Sequence, residues 1–431
     1  MMPCGFITHF QLTQLRASAM ARQFIVLVLM FAGAAPVIAY DLRPSKISKL
    51  RNDLTHELLS IKSVDCVRAM RKAAPMSNPE LWNCLPEHMN FAFDDYSRWL
   101  PSIRGNAPRG DSDLIEMQYL LAGVRWPDDP IGLARSEAPI ELLANYALCK
   151  SWVNGRYAQC GNRFCISHFG HLQMAHSMKP SAPWCKSKSP NSRTCEIANI
   201  DTKNAIEAWV RWLVPIGKGA VKISDSVLNT EFGQKAFDAT YCESVYPTDF
   251  SYQSLFFVDC TKDQWKKMFA FWKWGKCSVP APSAPEVELR NRAIGAILHV
   301  IQDSYARGHT IRAATTGSNW CSSRISCTAI SRFSEYTTQD RDQHSAADKN
   351  PVWDASCFKS ERVVDDPITA GAKVLAMFED PAYDAEKIWK YLDTKVFVTA
   401  PLTFAHCNAD KECFDDPKLN RSCEREVAKT P

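Results

Sequence analysis

The sequence predicts an all-α fold, a single helical domain with long, disulfide-tied loop insertions. Apolar residues recur at helical spacing in one segment after another. Strand-like alternation is scarce. Cysteines gather in polar stretches that read as loops. The 431 residues are 46% hydrophobic, enough to build a sizeable core. The formal net charge is only +4, with both signs scattered, so the balance gives no electrostatic indication of nucleic-acid binding. The composition is that of a folded chain, not a disordered one.

The N-terminal segment comes first. Met20-Ala21-Arg22-Gln23 is a positive start, residues 24–35 are an almost continuous apolar run, and Val37-Ile38-Ala39 supplies small residues at the end. This is the pattern of a secretory signal cleaved after Ala39. Residues 1–39 are therefore expected to be an N-terminal extension and signal peptide, with Met20 an alternative start, and residues 40–431 the helical domain. A membrane anchor is the competing reading, but the run is short and Pro36 interrupts it. No other stretch is long enough to span a bilayer. The mature chain is thus expected to carry no transmembrane anchor and to be secreted or periplasmic.

Helical periodicity then covers residues 42–71, 114–124, 140–153, 205–214 and 261–274, the last two rich in tryptophan. A proline-rich linker over 280–285 precedes the strongest helix, 286–306. Residues 368–378 and 385–392 read as helices again. Residues 160–195 and 312–332 read as loops, and 395–400 is the best strand candidate. Of 17 cysteines, Cys4 falls before or within the signal. The even remainder behind an export signal implies disulfides and an oxidising compartment. The sequence does not give their connectivity, and no CxxC pair suggests a zinc ribbon.

The segment 292–309 reads RAIGAILHVIQDSYARGH. Ile294, Ile297, Leu298, Ile301 and Tyr305 form one stripe, while Gly295, Ala296, His299, Asp303 and Ala306 lie opposite. Between Arg292 and Arg307 the one charged residue is Asp303. A helix with so little charge is expected to be buried all round. A buried lone carboxylate costs several kcal/mol and needs a partner. His299, one turn earlier, is on the same face. A divalent cation held by both satisfies the carboxylate; a metal-free His–Asp hydrogen bond is the alternative. His309 follows beyond the helix end and completes HxxxDxxxxxH. His344 and Asp348 are again four apart and, on a helix, point the same way; on their own they would read as a solvated surface pair.

This arrangement resembles the superfamily that joins zinc-dependent phospholipase C to the S1/P1-type nucleases, which carry HxxxDxxxxxH on a buried helix followed by a second HxxxE or HxxxD. The resemblance rests on short motifs between about residues 120 and 348. It implies a nearly all-helical fold of the phospholipase C/P1 nuclease type and a site of two or three Zn2+ ions. His299 and Asp303 would bind one ion, and His309, His344 and Asp348 another. Gly123-Val124-Arg125-Trp126-Pro127-Asp128-Asp129 looks like the nucleases' tryptophan-x-aspartate segment, which gives Asp128 a bridging role; a Pro-Asp turn is the other reading. The family's next histidine ligand corresponds to the cluster His168, His171 and His176. His168, followed by an aromatic residue, is the preferred ligand, with His171 and His176 as packing or surface residues. The family's mature N-terminal tryptophan is replaced here by Tyr40-Asp41, and its early histidine has only His56 as a candidate.

The implied activity is a secreted zinc-dependent hydrolase of phosphoric esters, acting on phospholipid or nucleic acid, with Asp303 and Asp128 as the catalytic carboxylates that orient water. Arg307 and Arg312 flank His309 and would either clamp a phosphate or be solvated helix-end charges. Two readings compete with hydrolysis. One is a non-catalytic, disulfide-rich secreted binding protein that keeps the fold. The other is a partner binder using the tryptophan-rich stretch 265–274, although that stretch reads more readily as an amphipathic core helix.

Overall fold

Residue 303 ends a 19-residue helix whose last nine residues, 295–303, are all buried. The computed structural model describes residues 55–73, 78–84, 93–104, 107–108, 110–128, 167, 172–180, 199–237, 250–256, 258, 284–306, 309–312, 324–334, 352–353, 355–358 and 362–400. All of them belong to one unit, Ala39–Pro431. The helices are α1 (Thr55–Ala73), α2 (Leu100–Arg104), α3 (Ser112–Arg125), α4 (Asn199–Gly217), α5 (Glu231–Ala236), α6 (Tyr252–Phe256), α7 (Pro285–Asp303), α8 (Pro367–Glu379) and α9 (Ala385–Lys395). The described chain is therefore mainly helical. The predicted helices over 140–153 and 261–274, the signal segment and most of 160–195 lie outside the described residues.

Local chemistry sets the helix ends. Asp111, Asp366 and Asp384 are N-caps whose carboxylates accept backbone N–H groups of the first turns of α3, α8 and α9. Pro285 and Pro367 stand at the first helical positions, where no donor is lost.

Helix α7 is central. Residues 295–305 are buried without a break, as the scarcity of charge predicts. Ala293, Ala296, Ile297, Val300 and Ile301 pack with Ile206, Trp209, Val210 and Leu213 of α4. Leu298 packs with Leu58 and Ile61 of α1 and with Leu120, Leu121 and Val124 of α3. Each such aliphatic side chain contributes about 1.5–3 kcal/mol. The crossing with α3 is the tightest. A Cβ on Gly295 would overlap the Leu120 carbonyl, and one on Gly123 would overlap that of Arg292. Only hydrogen at both positions lets the two backbones meet.

Strands are few and short. β1 (Thr310–Arg312) pairs antiparallel with β3 (Ile330–Phe333), with a register shift between Ile311 and Arg312. β2 (Arg324–Ile325) pairs parallel with β4 (Val352–Trp353). The expected loop over 312–332 is corrected accordingly: its ends are strands. The expected strand over 395–400 is also corrected. Lys395 completes α9, and the following segment touches β3 through one bridge, Ile330 to Thr399. Val396 and Phe397 are spent on the core instead.

Two disulfides are formed among the described residues, Cys66–Cys84 and Cys327–Cys357, with sequence separations of 18 and 30. Loop closure of these lengths is worth about 3–4 kcal/mol each in the chain-entropy account. No helix among the described residues is long and apolar enough to cross a membrane.

Candidate metal centre

Six titratable side chains from separate stretches meet at the C-terminal end of α7: His56, Asp128, His176, His299, Asp303 and His309. His56 stands in the first turn of α1. Asp128 lies in the turn that follows α3, where Trp126 is anchored by its indole N–H to the Leu255 carbonyl, 2.9 Å away. His176 ends a short 3-10 helix, Gln173–His176. The residue after it, Ser177, is the one non-glycine residue with positive φ (50°) among the described residues. Its hydroxyl donates to the Val300 carbonyl at 2.6 Å. Local strain of this kind persists where surrounding contacts over-determine it, and here it aims His176 at α7.

Asp303 is the hub. Its Oδ2 lies 2.8 Å from Nε2 of His299, 3.2 Å from Nδ1 of His176 and 3.4 Å from Nδ1 of His309. Its Oδ1 lies 3.3 Å from Nε2 of His56, yet it is buried and makes no well-aligned hydrogen bond among the described residues. Asp128 Oδ1 is 3.6 Å from Nδ1 of His176 and 3.9 Å from Nε2 of His299. The side chain of Asp128 is 28% exposed and that of His56 16%, whereas His176, His299 and Asp303 are at 1% or less. Solvent therefore reaches the cluster from the Asp128 and His56 side.

Oxygen acceptors beside the rings fix the tautomers. Nδ1 of His56 faces Oε1 of Gln302 at 3.0 Å, and the Gln302 amide is oriented by donating to Ser60 Oγ at 2.8 Å. Nε2 of His176 faces the Pro127 carbonyl at 3.2 Å. Nδ1 of His309 faces the His176 carbonyl at 2.7 Å. Each of these oxygens only accepts, so each ring nitrogen opposite it must donate. The neutral rings of His56 and His176 then carry their lone pairs at the nitrogens that face Asp303, and that of His309 carries its own on Nε2. Nε2 of His299 meets Nδ1 of His176 at 3.2 Å. The lone pairs of His56 and His176 and the carboxylates converge on one place, which a cation, either a metal ion or the proton of His299, would satisfy. Oriented imidazoles backed by outer oxygen acceptors are what metal sites use.

The charge state agrees. Burial alone lowers the His299 pKa, but Asp303 and Asp128 outweigh it and raise it to about 9. Burial raises Asp303, yet His299, His309 and His56 hold it well below the usual carboxylate range. Asp128 is likewise pushed up by burial and pulled down to about 2 by His299, His176 and His56. The carboxylates are thus ionised and their field favours positive charge.

Three overlapping groups could hold a metal ion: His56 with His299 and Asp303; Asp128 with His176 and His299; and His176 with Asp303 and His309. A tetrahedral zinc with bonds of about 2.0–2.2 Å places neighbouring donors about 3.3–3.6 Å apart. Asp128 Oδ1, His176 Nδ1 and His299 Nε2 lie 3.2, 3.6 and 3.9 Å from one another. The donors bracket that spacing.

Of the residues predicted from sequence, the structure brings Asp128, His299, Asp303 and His309 together. His168, His344 and Asp348 lie outside the described residues, as do His171 and Arg307. Within the histidine cluster, His176, expected to be packing or surface, is seated in the centre. His56, only a candidate in the sequence, joins it. The two alternatives for Arg312 are both corrected, because its guanidinium is turned inward onto carbonyl oxygens. The chain matches no family model, no curated protein and no solved structure.

Proposed function

We propose that this chain is a zinc-dependent phosphodiesterase with the fold and chemistry of the phospholipase C/P1 nuclease type, acting on phospholipid or nucleic acid in a secreted or periplasmic setting. One observation carries the reading. Four histidines surround two ionised carboxylates; His56 and His176 each have one ring nitrogen tied to an oxygen acceptor and the other turned to Asp303, and the spacing of Asp128, His176 and His299 suits tetrahedral zinc. Mixed imidazole and carboxylate donors favour zinc over magnesium or calcium, which prefer all-oxygen sets. The motif spacing His299-Asp303-His309, the Trp126-Pro127-Asp128 segment and the mainly helical chain support the same family type.

When bound, zinc lowers the pKa of water and takes up charge on phosphoryl oxygens. The protein supplies the rest. Asp303 holds three imidazoles in one orientation from a rigid helix end, so little rearrangement is needed during reaction. Asp128, ionised and partly open to solvent, accepts a hydrogen bond from the attacking water and orients it toward phosphorus. Val300, Ile301 and the neighbouring core exclude water from the closed side, which strengthens every charge interaction there.

The test uses the mature chain from Tyr40, produced under oxidising conditions. Elemental analysis should find two or three zinc ions per chain, and an Asp303→Ala variant should lose them. The zinc-loaded chain should cleave a chromogenic phosphodiester. Folded wild type that takes up no zinc overturns the proposal. Zinc uptake without cleavage of chromogenic, phospholipid or nucleic-acid phosphodiesters supports the non-catalytic binding protein instead.

A further inference from the structure

Arg312 stands three residues beyond His309 and is part-buried. Nε donates to the Ser304 carbonyl at 2.9 Å, and Nη2 to Ser304 Oγ at 2.9 Å and to the Val396 carbonyl at 3.1 Å. Nη1 donates to the Thr328 carbonyl at 2.6 Å. The guanidinium also lies over the Tyr305 ring, 3.9 Å from its centroid. None of the four acceptors is a carboxylate. The positive charge is therefore committed to backbone and hydroxyl oxygens around one point, the residue after Asp303.

That point is where α7 stops. The last carbonyls of a helix have no partner within it and carry its negative dipole end. Ser304 O receives both Arg312 Nε and the Thr310 hydroxyl, the latter at 2.6 Å. His309 and Thr310 in turn bond their amides to the Ala306 carbonyl at 2.9 and 3.0 Å. Ser304, Ala306, His309 and Thr310 are thus tied to one another between the two donors' positions, with Arg312 as the clasp. The clasp is fixed to the rest of the fold at Thr328, beside the Cys327–Cys357 bridge, and at Val396, beyond α9.

We propose that Arg312 is a positioning residue of the metal centre: its planar fork locks the turn from Ser304 to Thr310 and so sets the placement of His309 against Asp303. The inference rests on the metal centre and not on the reaction it performs. A planar five-donor fork suits several acceptors at once; an ammonium on the same stem does not reach them together.

The experiment titrates Zn2+ against a chromophoric chelator with the full mature chain as wild type, Arg312→Lys, Arg312→Met and, as a stability control, Leu392→Ala in the α9 core. The cobalt(II)-loaded proteins give visible spectra that report donor geometry. Arg312→Lys should fold, weaken zinc binding by about 10- to 100-fold and shift the cobalt spectrum. Leu392→Ala should lower the melting temperature with wild-type affinity and spectrum. Arg312→Met should exceed Arg312→Lys in both effects, and if it does not fold, Arg312→Lys carries the comparison. A wild type that binds zinc, matched in affinity and spectrum by Arg312→Lys, overturns the inference alone. A folded wild type that binds neither zinc nor cobalt overturns the centre and the inference with it.

Discussion

Nδ1 of His176 and Nε2 of His299 meet at 3.2 Å although 123 positions separate them in sequence. Both also face Asp303 Oδ2. Once both rings are neutral, as ligation requires, their lone pairs repel unless a metal ion stands between them; otherwise the His299 proton fills that place. Replacing His176 by alanine should therefore weaken zinc binding by more than the about 10- to 100-fold typical of an outer-shell change. Chelator competition measures it. His176→Ala with wild-type affinity would remove the residue from the centre.

Zinc uptake should expel protons. His299 holds its proton up to about pH 9, and a ligand ring must be neutral. Apparent affinity should then fall about tenfold for each pH unit below 9 from this proton alone. Calorimetry at pH 7 in buffers of different ionisation enthalpy should show proton release; buffer-independent heat contradicts it. The chelator-treated chain should behave in the opposite sense. A pKa raised from 6.5 to about 9 gives stability that is complete below 6.5 and lost as pH climbs through 9. The loss should be about 3 kcal/mol, read from urea unfolding at pH 6 and pH 9.5.

The ligand-bearing ends of α1 and α3 are tied together by Arg125 and Glu57, whose side chains are 13% and 8% exposed. Arg125 also donates to the Ile103 carbonyl at 3.0 Å. Glu57 adjoins His56, and Arg125 precedes Asp128 by one short turn. Glu57→Gln should cost about 3 kcal/mol, because it leaves a buried guanidinium without its counter-charge. Denaturant unfolding checks this. A loss below about 1 kcal/mol would place the pair among weak surface bridges.

Gly295→Ala should destabilise by about 3 kcal/mol and weaken zinc binding as well. The added methyl would force α7 away from the Leu120 carbonyl and the Val124 amide, and His299 lies one turn further along. Thermal unfolding and chelator competition on the same variant test both effects. Unchanged stability would mean that the two backbones separate freely.

How far the sequence could be read depended on whether the cause was local. The run from Arg292 to Arg307 with one charge announced a helix buried on every side, and a lone buried carboxylate announced a partner. Both statements need only residues within one helix, and α7 bears them out. The place of His176 in the centre was of a different kind. It turns on the left-handed backbone at Ser177 and its bond to Val300, a contact made across 123 positions, for which neither residue type gives a local signal. His56 was faint for the same reason, since Gln302 and Asp303 select it from the far side of the core. The β1–β3 pair escaped notice because strands of three and four residues are shorter than any period can establish. At 395–400 the reverse happened: the β-branched and aromatic run Val396-Phe397-Val398 suggested a strand, but burial of Val396 and Phe397 after a helix explains the pattern as well.

The donors arrive from the start of α1, the turn after α3, a 3-10 helix, the end of α7 and the threshold of β1. No single helix or turn carries enough of them to grip an ion. If the centre takes up zinc as proposed, it does so once these stretches have docked, so acquisition of zinc would report completed assembly and then reinforce it, because binding energy available only to the finished state deepens that state by mass action. A chain clipped so that these stretches no longer dock would keep helices while forfeiting this reinforcement. Metal content would then separate intact molecules from nicked ones more sharply than any measure of helicity.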